Sequence, residues 1–239
     1  MNRSPEVAVQ YVNYKTITYL QKSLADVLAD AERSKLNYHV YVIDNASGDN
    51  LDELRQDHVT IIESAENIGF GAGHNRLAQL HDSQYTLLLN PDTRVIQHVT
   101  VERLIQSLEL AEGAAVIGPR LVSLDHTQQA WDHGELDPSS GTYSPKSAWE
   151  PRSTKGEVAW TSGAAMLLRT ATFKSIGGFD EKFFLYKEEE DLSLRLRQAG
   201  FTTYYDPAIT VLHIGSVVAT KELPYFDQSI KYYNQKHGL

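Results

Sequence analysis

The chain has 239 residues, a formal net charge of −9, and 41% hydrophobic residues. That length suits one large α/β domain or two small ones, with enough apolar residues for a sizeable core. The acidic balance argues against nucleic-acid binding, no apolar run approaches the ~20 residues of a spanning helix, and the N-terminus lacks a signal peptide's apolar core. With no cysteine in the sequence, disulfides and thiolate metal sites are excluded, and a cytoplasmic setting is the expected one.

Glu6 to Val12 alternates and is rich in Val and Tyr, which predicts a strand with Asn13 and Tyr14 at its carboxyl end. Ile17, Leu20, Leu24, Val27, Leu28 and Ala31 then recur at helical spacing. Tyr38 to Ile43 predicts a second strand, ending in the polar cluster Asp44 to Asp49. A short helix over Leu51 to Gln56 and a third strand over Val59 to Glu63 follow. Next comes Asn67-Ile68-Gly69-Phe70-Gly71-Ala72-Gly73-His74-Asn75. Its alternating glycines predict a loop whose backbone approaches a ligand closely, followed by a helix. The spacing is neither GxGxxG nor a Walker loop.

Tyr85 to Asn90 predicts a buried strand through three leucines, stopped by Pro91, with Asp92 just past its end. A carboxylate there can hold Mg²⁺ or Mn²⁺ against phosphates; the alternative is that Asp92 or Thr93 simply caps a helix. Val101 to Leu110 predicts a helix, and Ala114 to Ile117 a strand stopped by Gly118-Pro119. Strands alternating with helices imply crossovers and a mostly parallel sheet. Asn13, Asp44, Asn90 and Asp92 then fall on the one edge where such sheets bind ligands, which points to a nucleotide-phosphate site.

Residues 120 to 157 change character, with Pro138, Ser139, Ser140, Gly141, Pro145 and Pro151 among Trp131, His133, Tyr143 and Trp149. They read equally as a functional flap or as a surface excursion anchored by its aromatics. Order resumes over Val158 to Leu168, followed by a short helix over Thr172 to Ile176. Glu188 to Gln198 is helical, with Leu192, Leu196 and Ala199 facing the core and four carboxylates in the first turn, where the helix dipole favours them. Thr202 to Tyr205 and Ile209 to His213 complete the sheet, with His213 either a metal ligand or a core histidine.

These stretches together resemble the inverting nucleotide-sugar glycosyltransferases of the GT-A fold, family two, and more narrowly their rhamnosyltransferase-like branch. The resemblance rests on Val12-Asn13-Tyr14, Val42-Ile43-Asp44-Asn45-Ala46-Ser47, Asn67-Ile68-Gly69-Phe70, Leu89-Asn90-Pro91-Asp92, Gly118-Pro119-Arg120, Gly177 to Glu181, Tyr186 to Leu192, His213 and the tail Lys231 to Gly238. It implies an α/β domain with a mostly parallel mixed sheet flanked by helices. Residues 1–118 would form the nucleotide-binding half, 119–220 the acceptor and catalytic half, and 221–239 a helical tail. Asn90-Pro91-Asp92 stands where the family has Asp-x-Asp, so Asp92, with His213, is the expected metal ligand. Asn13, Tyr14, Asp44, Asn67, Gly69, Asn75 and Asn90 are expected around the nucleotide. Glu188-Glu189 matches the family's Glu-Asp pair, whose second member is the base. Glu in place of Asp adds one methylene.

The implied donor is a nucleotide-diphosphate sugar, dTDP-rhamnose first and UDP-hexoses behind it. The implied acceptor is a saccharide or polyprenyl-linked sugar of bacterial surface polysaccharide synthesis. A nucleotidyltransferase would need a basic glycine-rich loop early in the chain, where only Lys15 stands near the first strand end; a non-catalytic sugar- or partner-binding module is the other alternative. Helical geometry puts Glu188 on the semi-buried side of Leu192 and pairs Asp191 with Arg195 on the surface, and the resemblance implies that Glu190, at a position variable in the family pattern, faces solvent. Glu189 is left as the base, where the resemblance also puts it, kept ionised by the helix N-terminus, with Glu188 the base instead if that register is one residue off. Tyr225, Phe226, Tyr232 and Tyr233, among Lys221, Lys231, Lys236 and His237, either rest peripherally on the inner face of the cell membrane or pack a C-terminal helix on the domain.

Overall fold

In the computed structural model, which describes residues 6–137, 149–215 and 223–239, strands and helices alternate through the first half as the periodicity demands. β1 (Val7–Asn13), α1 (Ile17–Ser34) and β2 (Tyr38–Asp44) lead to a 3-10 turn at Asp52–Leu54 and to β3 (Val59–Glu63). Then come α2 (Phe70–Ala78), β4 (Tyr85–Leu89), the two-residue β5 (Thr93–Arg94) and α3 (Thr100–Glu109). The second half holds β6 (Ala114–Val122), β7 (His133–Gly134), β8 (Gly156–Val158), β9 (Trp160–Thr161) and β10 (Ala165–Arg169). It closes with α4 (Thr170–Ser175), α5 (Glu188–Gln198), β11 (Thr202–His213) and α6 (Leu223–His237). Residues 138–148 of the expected excursion, and Lys221 of the tail, lie outside the described residues.

The main sheet runs β3-β2-β1-β4-β10-β6-β11-β5, with β8 also on β11. β1, β2, β3 and β4 are mutually parallel, and β6 runs parallel to β11. β10 is antiparallel to both β4 and β6, and so joins the two parallel groups. β4 is buried on every residue because it has sheet neighbours on both sides and helices on both faces. Tyr85, Leu87 and Leu89 face the core shared with α1 and α3, while Leu88 faces the one shared with α4 and α5. The mixed, mostly parallel α/β architecture is the expected one.

Three elements depart from expectation. β6 does not stop at Gly118-Pro119 but continues to Val122. β10 pairs with β6 only at Val116 and Ile117, and a register shift in β11 lies opposite Pro119, so the proline's missing N–H breaks no ladder bond on the β10 side. The last two expected strands are one, β11, running through that same irregularity. The glycine-rich stretch is mostly helix. A Cβ on Gly71 would lie 2.8 Å from Phe179 Cβ, and one on Gly73 2.8 Å from Val12 Cγ2, so these two glycines serve close helix packing rather than a ligand loop. Gly69 alone of the three has a left-handed φ of +87°, and its Cβ would lie 2.5 Å from the Phe184 carbonyl oxygen.

Between β6 and β8 the anchored excursion is what the described residues show. Asp132, fully buried, accepts from Trp149 Nε1 at 2.9 Å and Tyr205 Oη at 2.8 Å, and bonds His133 Nδ1 at 2.7 Å. Trp131 is 62% exposed and takes no part.

Candidate active site

Parallel topology brings the carboxyl ends of β1, β2, β4 and β11 to one edge of the sheet. Asn13 pairs in register with Asp44, and His213 with Thr93, one residue beyond Asp92. A cavity of about 300 Å³ opens beside them. Asn90, Asp92, His213, Tyr14, Asn67 and Gly69 line one part of it, and Ser162 to Ala164, Phe184 to Tyr186, Glu188 and Glu189 the other. Both ends of the chain's motif set therefore meet in one space.

Asn13 is fully buried, and its Nδ2 donates to Asp44 Oδ1 at 2.9 Å and Asp49 Oδ2 at 3.0 Å, with Ser47 Oγ at 3.2 Å. It fixes the Asp44 carboxylate and the polar loop after β2. Asp44 lies outside the main cavity and lines a second groove with Asp49, Asp52, Arg55 and Glu63. Asn75 lines neither. Its amide donates to the Phe179 carbonyl at 2.9 Å and accepts from the Phe179 N–H at 2.9 Å, so it clamps the turn before α5. Asn45, which sequence reasoning passed over, donates to Asn67 Oδ1 and to the Gly69 carbonyl, both at 3.0 Å, and holds the turn that starts α2.

Asp92 is 8% exposed, and its Oδ2 accepts from the Gly215 N–H at 3.0 Å. His213 Nε2 lies 3.5 Å from Asp92 Oδ1. On the far side of the ring, Nδ1 is 2.9 Å from Gln129 Oε1, while Gln129 Nε2 donates to the His213 carbonyl at 2.6 Å. The Gln129 amide is thereby oriented with its oxygen toward Nδ1, so that nitrogen carries the proton. Nε2 is left facing the Asp92 carboxylate, so a nitrogen and an oxygen donor stand side by side at the cavity. That donor set suits a divalent cation.

Across the cavity, α5 begins after two consecutive residues in the left-handed region, Tyr186 (φ 72°) and Lys187 (φ 70°). Glu188 is 4% exposed, and its Oε2 has no hydrogen-bond partner among the described residues. Burial, and then the charge of Glu189 beside it, holds its carboxyl well above the usual range. Glu189 is half-buried and is pushed up to about 7, chiefly by burial, although its own N–H and that of Gly163 favour the charged form. The helix N-terminus therefore does not keep Glu189 fully ionised at neutral pH, because desolvation outweighs it.

Two further expectations about this turn are corrected. Glu190 does not face solvent but pairs with Lys187 Nζ at 2.6 Å. Asp191 does meet Arg195, at 2.7 Å, but with its carboxylate fully buried rather than on the surface. The parts of the cavity that had no sequence signal are Ser162 to Ala164, in the turn before β10, and Phe184 and Leu185, whose place in the lining the resemblance did not give. Both depend on long-range packing.

Comparison with known proteins follows this geometry. An N-acetylglucosaminyl-diphospho-decaprenol L-rhamnosyltransferase of Mycobacterium tuberculosis is 27% identical over 232 residues, covering 84% of this chain and 74% of that protein. The rhamnosyltransferase WbbL of Escherichia coli is 27% identical over 214 residues, covering 82% and 78%. Among solved structures, a Pyrobaculum calidifontis mannosyltransferase in complex with GDP-Man and Mn²⁺ superposes with a TM-score of 0.63 at 14% identity, over 91% of this chain and 59% of that one. GalNAc-T7 with UDP, GalNAc and Mn²⁺ gives 0.68 at 14%, over 89% and 44%. At that identity the two structures speak for the GT-A fold, and the chain spans about half the length of each. The model of glycosyl transferase family 2 matches residues 9–177, the span that includes the ends of β1, β2 and β4 and the turn before β10, and the chain belongs to that family.

Proposed function

We propose that this chain is an inverting glycosyltransferase that moves a sugar, rhamnose as the first choice, from a nucleotide-diphosphate donor to a saccharide or polyprenyl-linked acceptor of bacterial surface polysaccharide synthesis. The observation that carries this is the sign of the cavity. Among its described lining residues are Asp92, Glu188 and Glu189 but no Lys or Arg. A donor diphosphate meets three carboxylates and no lysine or arginine there, so its entry calls for a cation, and Asp92 with His213 Nε2 is the donor set that fits one. Mg²⁺ or Mn²⁺, when bound, would neutralise charge developing on the leaving diphosphate. No group of three or more His, Asp or Glu side chains arranged to hold a metal ion exists among the described residues, so Asp92 and His213 would hold it only together with ligands from outside that set.

Glu189 is placed to take the proton of the acceptor hydroxyl as that oxygen bonds to the anomeric carbon and the carbon–oxygen bond to diphosphate breaks. A single base opposite the leaving group gives inversion in one displacement. Asn13 and Asp44 position the nucleotide half of the donor. The rhamnosyltransferase names of the relatives support the donor choice, and the decaprenol-linked acceptor of one supports a lipid-linked acceptor. No helix among the described residues is long and apolar enough to cross a membrane. A peripheral contact with the membrane is part of the same reading.

The nucleotidyltransferase alternative lacks a basic loop here too. Lys15 is exposed and lies over the Tyr14 ring at 5.0 Å, outside the cavity lining. A thermal-shift panel of nucleotide sugars, with and without Mn²⁺ or Mg²⁺, tests the donor and metal together through ligand linkage. A stabilisation by dTDP-rhamnose that requires the cation is expected. Equal stabilisation by nucleoside triphosphates, with sugar-1-phosphate as co-substrate, would favour the alternative.

A further inference from the structure

The bend that feeds α5 is costly to hold. The left-handed region crowds the Cβ of a non-glycine residue against the following carbonyl oxygen, and Tyr186 and Lys187 adopt it in succession, immediately before Glu188 and Glu189. Such a bend persists only where its surroundings over-determine it. On the inner side, the Phe184 carbonyl accepts from the Phe70 N–H at 3.0 Å. On the outer side, α6 supplies several contacts. Ser229, 5% exposed, donates its hydroxyl to the Leu185 carbonyl at 2.7 Å. The Tyr225 ring stacks on Phe184 at 4.5 Å, and Phe226 meets Tyr186 edge-on at 5.4 Å.

The same helix also grips the first turn of α5. Asp191 Oδ1, fully buried, accepts from Lys236 Nζ at 2.6 Å and from His237 Nε2 at 2.9 Å. Lys236 also reaches Asp180 Oδ2 at 2.6 Å, which accepts from Tyr232 Oη at 2.9 Å. Asp180 and Asp191 flank the bend in sequence, and one lysine ties them together. A buried carboxylate that loses one partner is left poorly compensated, so this clamp is sensitive to single deletions.

We infer that α6 is a positioning element of the active site: Ser229, Lys236 and His237 hold the bend at Phe184 to Lys187 in the one conformation that aims Glu188 and Glu189 into the cavity. The catalytic part of this rests on Glu189 being the base. On the nucleotide side, β1 and β2 take none of these hydrogen bonds, ion pairs or ring contacts, and the start of α2 meets the bend only through the Phe70 N–H on the Phe184 carbonyl, so α6 acts on turnover far more than on donor binding.

The test uses the full-length chain with Ser229→Ala and Lys236→Met, singly and together, and Lys236→Arg as the conservative variant. Hydrogen exchange is read over residues 183–192 and over β1, β2 and β4. In parallel, kcat is measured with the nucleotide-sugar donor, and Kd for the donor's nucleoside diphosphate with Mn²⁺. The double variant is expected to exchange at least tenfold faster over 183–192 with the three strands unchanged. Its kcat should fall at least tenfold while Kd stays within about twofold, and Lys236→Arg should recover most of the loss. Unchanged exchange over 183–192 overturns the inference, as does faster exchange with an undiminished kcat. Faster local exchange in a protein that transfers no sugar as wild type would sustain the clamp and remove the catalytic reading of Glu189, so the two failures are told apart.

Discussion

Glu189 carries the pH dependence of the proposed chemistry. A base must be unprotonated, and burial pushes this one up to about 7. Turnover is therefore expected to rise with pH through about 7 and level off above it, and a kcat profile between pH 5.5 and 9 checks this. Glu189→Gln should lower kcat by about 10²-fold or more while leaving the donor Kd unchanged, because only proton transfer is removed. The same shift has an opposite effect on stability. A carboxyl with a raised folded pKa contributes most where it stays protonated, below its unfolded value, and loses that contribution as pH rises through about 7. Glu189→Gln should accordingly raise the melting temperature relative to wild type at pH 8 and leave it nearly unchanged at pH 5. On the metal side, Asp92→Ala and His213→Ala should each weaken donor binding only when Mn²⁺ or Mg²⁺ is present, measured by titration with and without chelator. Full wild-type activity in excess chelator would remove the metal from the mechanism. The residue identities on this edge were legible because strand ends in a parallel sheet expose their polar residues in order. The protonation of Glu189 was not, since it depends first on burial, which long-range packing sets, against the opposing N–H of Gly163, far away in sequence.

Elements with local causes were read almost to the residue. α5 starts at Glu188 and ends at Gln198 as expected, because its carboxylate-rich first turn and the Leu192–Leu196 spacing both act within the helix. β6 was cut short because Pro119 normally ends a central strand, and only the tertiary pairing shows that β10 has already left it. Gly71 and Gly73 were misread for a similar reason. Small residues that let a ligand approach and small residues that let another chain segment approach look alike in one dimension. The Val12 and Phe179 side chains decide the matter. Gly73→Ala should therefore destabilise by about 1–3 kcal/mol, since its Cβ would sit 2.8 Å and 3.1 Å from the two Val12 methyl carbons. Urea denaturation measures the loss. Gly48→Ala meets no atom within 4 Å and is strained only through its φ of +78°, so a smaller loss is expected there.

At the scale of the molecule, the two halves read from the sequence are interlocked. The 1–118 half contributes β1 to β4 but also most of β6, and β6 reaches β4 only through β10, from the other half. We expect a fragment of residues 1–118 to lack a cooperative unfolding transition by circular dichroism, although it holds most of the nucleotide-side residues. The insertion of β10 also sets an order in time. During synthesis β4 emerges with one side paired to β1 and the other open, and its partner on that side, Ala165 to Arg169, is made only after the whole of 90–164. At about 5–20 residues per second, the open edge of a strand containing Leu87, Leu88 and Leu89 waits on the order of 4–15 s on the ribosome. An uncovered apolar edge is a template for wrong pairing. Synonymous codons that slow translation between Asn90 and Ala164 should thus reduce the soluble yield of this enzyme while leaving the specific activity of the molecules that do fold unchanged.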